Sequence, residues 1–186
     1  MANREALREL QTRLASRLEA ARTQGLSLSW LAVRAGAGNY LFPLAQSGEI
    51  FPLTDLQAVP YVRPWFRGVV NLRGVLHGVV DLAAFVRVGR EAAQGPHPTA
   101  ALRAGQMGQA AAQVVTLNVA LEVNCALLID ALAGLRDAQA FTASEPPPAD
   151  APVYFGQRYT EHGGEQWQEI NLQALSQWPG FLQISA

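Results

Sequence analysis

The chain divides by the period of its apolar residues. Over residues 3–24, Leu7, Leu10, Leu14 and Leu18, followed by Ala21, recur at helical spacing. Charges occupy the other faces, and Glu9 stands four residues ahead of Arg13 in the favourable orientation. The pattern predicts an amphipathic helix, stopped at Gly25. Its leucine stripe would either dock on the following domain and complete that core or pair with a partner helix. From residue 29 the period shortens to that of strands. Residues 29–34, 38–44 and 49–53 form three such runs, with Ala35-Gly36-Ala37-Gly38-Asn39 as a hairpin turn between the first two. Pro60, Pro64, Tyr61, Trp65 and Phe66 then make an irregular connection.

Residues 67–82, RGVVNLRGVLHGVVDL, stand at the centre of the pattern. Paired valines favour strands, and Gly68, Gly74 and Gly78 inside them point to bulges, bends or close backbone approach. Two strands joined by a tight turn over 71–74 are expected, followed by a short helix from Asp81 to Val88, closed by Gly89. A carboxylate at Asp81 suits the free N–H groups and the positive end of that helix. Arg73 lies in an otherwise apolar segment, where an isolated buried charge is costly. It should therefore form a structural ion pair with Asp81 or stand on a partner-facing surface.

Residues 90–112 are rich in Ala, Gly and Gln with two prolines, and read as a mobile linker or surface excursion. Strands follow over 113–121, 123–130 and 134–139. Residues 141–152, with Pro146-Pro147-Pro148, are expected as an extended loop. Residues 153–159 and 166–170 should pair as a hairpin. Asn171 caps a helix to Trp178 that Pro179-Gly180 ends, and 181–184 is an apolar tail. Many short strands with few helices place the chain in the all-β barrel class.

Composition narrows the chemistry. Hydrophobic residues make up 49%, enough for a core. Fourteen basic against fifteen acidic residues leave a net charge of −1, which argues against nucleic acid or an anionic membrane as principal partner. Every basic residue is Arg, so no phosphate-loop or Schiff-base lysine exists. Cys125 is the single cysteine and lies in the apolar run CALLI, where a small core filler is expected. His77, His97 and His162 lack metal-ligand spacing, and no nucleophile elbow or dinucleotide fingerprint occurs. Glu161 and Glu165 are the nearest approach to a carboxylate pair, but a solvated turn accounts for them. No catalytic residue, cofactor or metal is expected. Without an apolar run of about 18 residues or a signal-peptide pattern, the expected setting is cytoplasmic, with no direct membrane insertion.

The stretch GVVNLRGVLHGVVDL resembles the signature of the CheW-like domain, in which a Gly-Val-x-Asn-Leu-Arg-Gly turn leads to an apolar strand and an Asp-Leu. The resemblance runs from about residue 29 to the C-terminus, without a gap over 40–82. It implies a mainly β fold of two small SH3-like five-stranded barrels sharing a core, with an N-terminal helix and short helices. Residues 1–28 would be a helical extension, and 29–186 the CheW-like domain with its mobile linker at about 90–112.

The resemblance further implies a non-enzymatic scaffold at receptor arrays on the inner membrane. It would couple the cytoplasmic tip of a methyl-accepting receptor to a CheA-type histidine kinase, whose regulatory domain is itself CheW-like. Carried over by position, the partner-binding residues are Ser47, Glu49, Gly68, Asn71, Arg73 and Gly74. Ser47 stands where the family usually has an apolar residue, and His77-Gly78 replaces a usual apolar-Pro pair. The N-terminal extension, the Pro-rich segment 146–152 and the Gly-Phe-Leu near the C-terminus are similar to the PilI-type branch of type IV pilus chemosensory systems. The alternatives are a flagellar-type chemotaxis adaptor and a free-standing SH3-like peptide binder that uses Tyr61, Trp65 and Phe66. A small hydrolase would need a nucleophile and base that the sequence does not offer.

Overall fold

A computed structural model describes residues 29–94 and 112–186. The leucine-striped segment and all but the ends of the 90–112 linker lie outside the described residues. Eleven strands follow in order: β1 (Ser29–Ala35), β2 (Gly38–Pro43), β3 (Ser47–Pro52), β4 (Phe66–Leu72), β5 (Val75–Asp81), β6 (Gln113–Leu117), β7 (Cys125–Ile129), β8 (Ala131–Asp137), β9 (Phe141–Glu145), β10 (Phe155–Glu161) and β11 (Gln166–Ile170). Helix α1 (Leu82–Gln94) follows β5, while α2 (Leu172–Gln177) and α3 (Pro179–Leu182) follow β11.

The strands form two mixed sheets. One has the order β8-β1-β2-β11-β10-β9, the other β3-β6-β7-β5-β4. The first sheet thus has six strands where five were expected. Its sixth is β9, in the segment read as loop. Arg158 pairs with Glu145 along β10–β9, and Phe141 packs edge-on against Trp30 at 5.7 Å, so tertiary contacts hold a polar sequence in a strand. In the second sheet the edges meet. Gln57, downstream of β3, exchanges both backbone hydrogen bonds with Val69 of β4 at 2.8 Å, closing the ring. Gly68 makes that approach possible: its φ is +135°, and a Cβ there would lie 2.1 Å from the Gln57 carbonyl oxygen.

Neighbouring residues on the central strands enter different cores. Trp30, Ala32, Leu41 and Trp167 fill the six-stranded barrel, and Val70, Leu72, Val79, Val114 and Ala126 fill the five-stranded one. Their neighbours Leu31, Val33, Phe42, Val80, Val115 and Leu127 meet between the sheets with Leu82 and Phe85 of α1. Strands buried on both faces read as continuous apolar runs, which is why their alternation in the sequence is loose.

Helix α1 continues past the expected stop at Gly89 to Gln94. Gly89 is there for space, since a Cβ would sit 2.4 Å from the Tyr154 hydroxyl. Asn171 caps α2 as read, its side-chain oxygen accepting from the Ala174 N–H at 3.0 Å. That helix ends at Gln177, ahead of Pro179-Gly180 as read, but the segment read as an apolar tail begins with α3, where Pro179 is suited by its fixed φ to the first helical turn. Helix α3 buries Phe181 against Trp65 and Phe85.

Candidate functional site

The β4–β5 hairpin turns through Arg73 and Gly74 alone, Leu72 pairing with Val75. Both turn residues have positive φ, +50° and +86°, the conformation of a type I′ turn that matches strand twist. Glycine takes this freely, whereas arginine in it costs on the order of 1 kcal/mol. Asn71 offsets the strain, its Oδ1 accepting from the Gly74 N–H at 2.8 Å. Asn71 and Gly74 therefore shape the tip that presents Arg73.

From that tip Arg73 reaches β3. Its Nη1 lies 2.6 Å from Glu49 Oε2, and its guanidinium stands 5.3 Å from the Phe51 ring centroid. The pair faces solvent, with side chains 71% and 58% exposed, so it adds little to stability and chiefly fixes where two opposite charges are displayed. Glu49 is held from behind. Its N–H donates to the buried Thr116 Oγ1 at 2.8 Å, and that hydroxyl donates to the Glu49 carbonyl at 3.2 Å. Large apolar side chains stand exposed on the same two elements: Val75 and Leu76 beside the turn and Ile50 on β3.

The expected Arg73–Asp81 ion pair is not made. Seven-residue β5 separates the two, about 20 Å at strand rise, far beyond ion-pair reach. Asp81 Oδ1 instead accepts from the Ala84 N–H at 2.9 Å in the first turn of α1, the capping role read from the sequence. Two more of the expected contact residues are internal. Ser47 is buried, its hydroxyl donating to the Pro43 carbonyl at 3.0 Å, and Gly68 lies in the barrel closure. Of the six, Glu49 and Arg73 meet on the surface, Asn71 and Gly74 shape the turn, and Ser47 and Gly68 support from inside. Thr116 and Phe51 escaped the sequence reading, because their link to the hairpin is long-range.

Elsewhere the charges serve the fold. Glu161 and Glu165 each hold an arginine: Glu161 Oε1 accepts from Arg136 Nε at 2.5 Å in a largely buried pair, and Glu165 Oε1 from Arg34 Nη2 at 2.9 Å in a pair that still faces solvent beside the turn. The two arginines lie 5.6 and 6.0 Å from the buried Trp167 ring. Burial pushes the Cys125 thiol up to about 12, as befits a core filler. Trp65 and Phe66 are buried and only Tyr61 is exposed, so the aromatic trio does not form the groove a peptide binder would need. Among the described residues, no group of three His, Cys, Asp or Glu could hold a metal, and no helix is long and apolar enough to cross a membrane.

Three comparisons bear on this arrangement. The CheW-like domain model matches residues 29–179. Protein PilI of Pseudomonas aeruginosa is 28% identical over 174 residues, covering 93% of this chain and 89% of that protein. The crystal structure of the scaffolding protein TtCheW from Thermoanaerobacter tengcongensis matches with a TM-score of 0.61 at 16% identity, over 83% of this chain and 96% of that one, a likeness of fold. The matched residues hold both sheets, the hairpin and its Arg73–Glu49 tip, and the chain belongs to the CheW-like domain family.

Proposed function

We propose that this chain is a non-enzymatic scaffold that couples a methyl-accepting receptor to a CheA-type histidine kinase within a type IV pilus chemosensory system. The observation that carries the reading is the hairpin tip, where a solvent-facing Arg73–Glu49 pair has exposed Val75, Leu76 and Ile50 as chain neighbours on a closed barrel. A charged pair rimmed by apolar side chains suits recognition of a protein surface, with the charges setting orientation and the apolar groups supplying burial. The likeness to PilI, which spans nearly the full length of both chains, favours the pilus branch over a flagellar-type adaptor. The two barrels offer separate faces, as a protein that holds two partners at once requires.

The test is a pull-down of a CheA-type regulatory domain and a receptor cytoplasmic tip by wild type and by Arg73→Ala. Wild-type capture of both, with one contact weakened at least about tenfold in a mutant of unchanged melting temperature, supports the reading. Capture of neither partner by the wild type overturns it.

A further inference from the structure

On β8, β1 and β2 the face turned away from the interior of the six-stranded barrel forms two apolar rows. Leu135 pairs with Leu31 and Leu31 with Phe42; Leu132 pairs with Val33 and Val33 with Tyr40. A bulge between Ala32 and Val33 brings both β8 leucines onto that face, while Ala133 packs inside the barrel with Trp30 and Trp167. The β1 and β2 members of both rows are buried in the core between the sheets. The β8 members are not: Leu135 is 63% exposed and Leu132 40%. The cover of an otherwise continuous apolar face thus stops one strand short. β8 is also an edge strand, paired only with β1.

The described chain begins at this place. Ser29 pairs with Asp137, two residues from Leu135, and its carbonyl accepts from the N–H of Leu44, another exposed leucine. The 28 preceding residues carry Leu7, Leu10, Leu14 and Leu18 at helical spacing. As a helix this stripe would run about 16 Å, enough to cover the leucine pair on β8, whose Cα atoms lie about 10 Å apart along the strand. The ten residues between Leu18 and Ser29 reach up to about 35 Å when extended, so β8 lies within their span.

We infer that the leucine stripe of residues 7–18 folds back in the same molecule onto the outer face of β8, completing both rows over Leu132 and Leu135. Hydrogen–deuterium exchange of the full chain tests this, with amides near Trp167 as an internal control of folding. The expected result is protection of residues 7–18 that is independent of protein concentration. It should fall at least about tenfold in Leu132→Glu/Leu135→Glu while the control amides hold. A second variant, Leu10→Glu/Leu14→Glu, leaves the described domain untouched; it should lose the same protection and make Leu135 more reactive in hydroxyl-radical footprinting. Four outcomes overturn the inference. The stripe could be unprotected in the wild type, or protected regardless of the β8 leucines. Its protection could rise with concentration, assigning the face to a second copy, or appear only when a kinase or receptor fragment is added, assigning the stripe to a partner.

Discussion

The five-stranded barrel is filled by Val70, Leu72, Val79, Val114 and Ala126, whereas the six-stranded one is built around Trp30 and Trp167 with Phe141 and Tyr159 packed against them. This difference in filling decides what each barrel does with its charges. An aliphatic interior asks for no polar partner, so its ring closes by backbone contact through Gly68 and Gln57, and Arg73 and Glu49 stay outside. Buried indoles need acceptors for their N–H groups. Trp30 Nε1 donates to Glu169 at 2.9 Å and Trp167 Nε1 to Glu161 at 3.4 Å, while Arg136 and Arg34 cover the Trp167 ring. Glu169, Glu161, Arg136 and Arg34 are thereby tied to the two buried indoles. Arg73 and Glu49 of the aliphatic barrel touch no buried indole, and their pair faces solvent.

Four experiments would break or sharpen this contrast. The largest effect is expected from Trp167→Ala, which removes the centre of the aromatic barrel and both cation–π contacts; denaturant unfolding should show a loss of about 3–5 kcal/mol. Next comes Gly68→Ala in the aliphatic barrel. A Cβ 2.1 Å from the Gln57 carbonyl oxygen, at a φ of +135°, should cost about 2–3 kcal/mol and speed amide exchange at Val69. If it proves neutral, closure by backbone contact is not what completes that ring.

Counted per pH unit, the next effect is smaller and comes through Cys125. Burial raises Cys125 from 9.0 to about 12, so between those values the unfolded chain loses a proton that the folded chain keeps. Stability should therefore fall as pH rises through that window, by up to about 1.4 kcal/mol per pH unit, and Cys125→Ala should remove this component of the slope. The same burial predicts that a thiol reagent labels Cys125 only after unfolding. The smallest effect on stability belongs to Arg73→Ala. With both partners of its ion pair more than half exposed, the unfolding free energy from denaturant titration should move by less than about 0.5 kcal/mol. A larger loss would mean that the aliphatic barrel, like the aromatic one, relies on its charges for folding.

The sequence by itself determined the local features. The central hairpin and its turn, the Asp81 and Asn171 caps, the 155–170 hairpin and the burial of Cys125 all follow from short-range signals: β-branched runs, a turn that needs positive φ, and side chains that satisfy nearby N–H groups. The family signature lay in the same contiguous stretch, and so did Arg73. Only the tertiary structure decided which distant groups meet. Asp81 lies nearer Arg73 in sequence than Glu49 does, yet a strand carries Asp81 away while barrel closure brings Glu49 in. Residues 141–145 run directly into Pro146-Pro147-Pro148 and read with them as loop, and β10 together with Trp30 supplies the reason they form a strand. Gly68 reads as a bulge or close approach and is both, whereas Gly89 reads as a helix stop and sits inside the helix, where the Tyr154 hydroxyl excludes a side chain. Short-range chemistry is written in neighbouring residues, whereas close approach between strands far apart in sequence exists only once the whole barrel has formed.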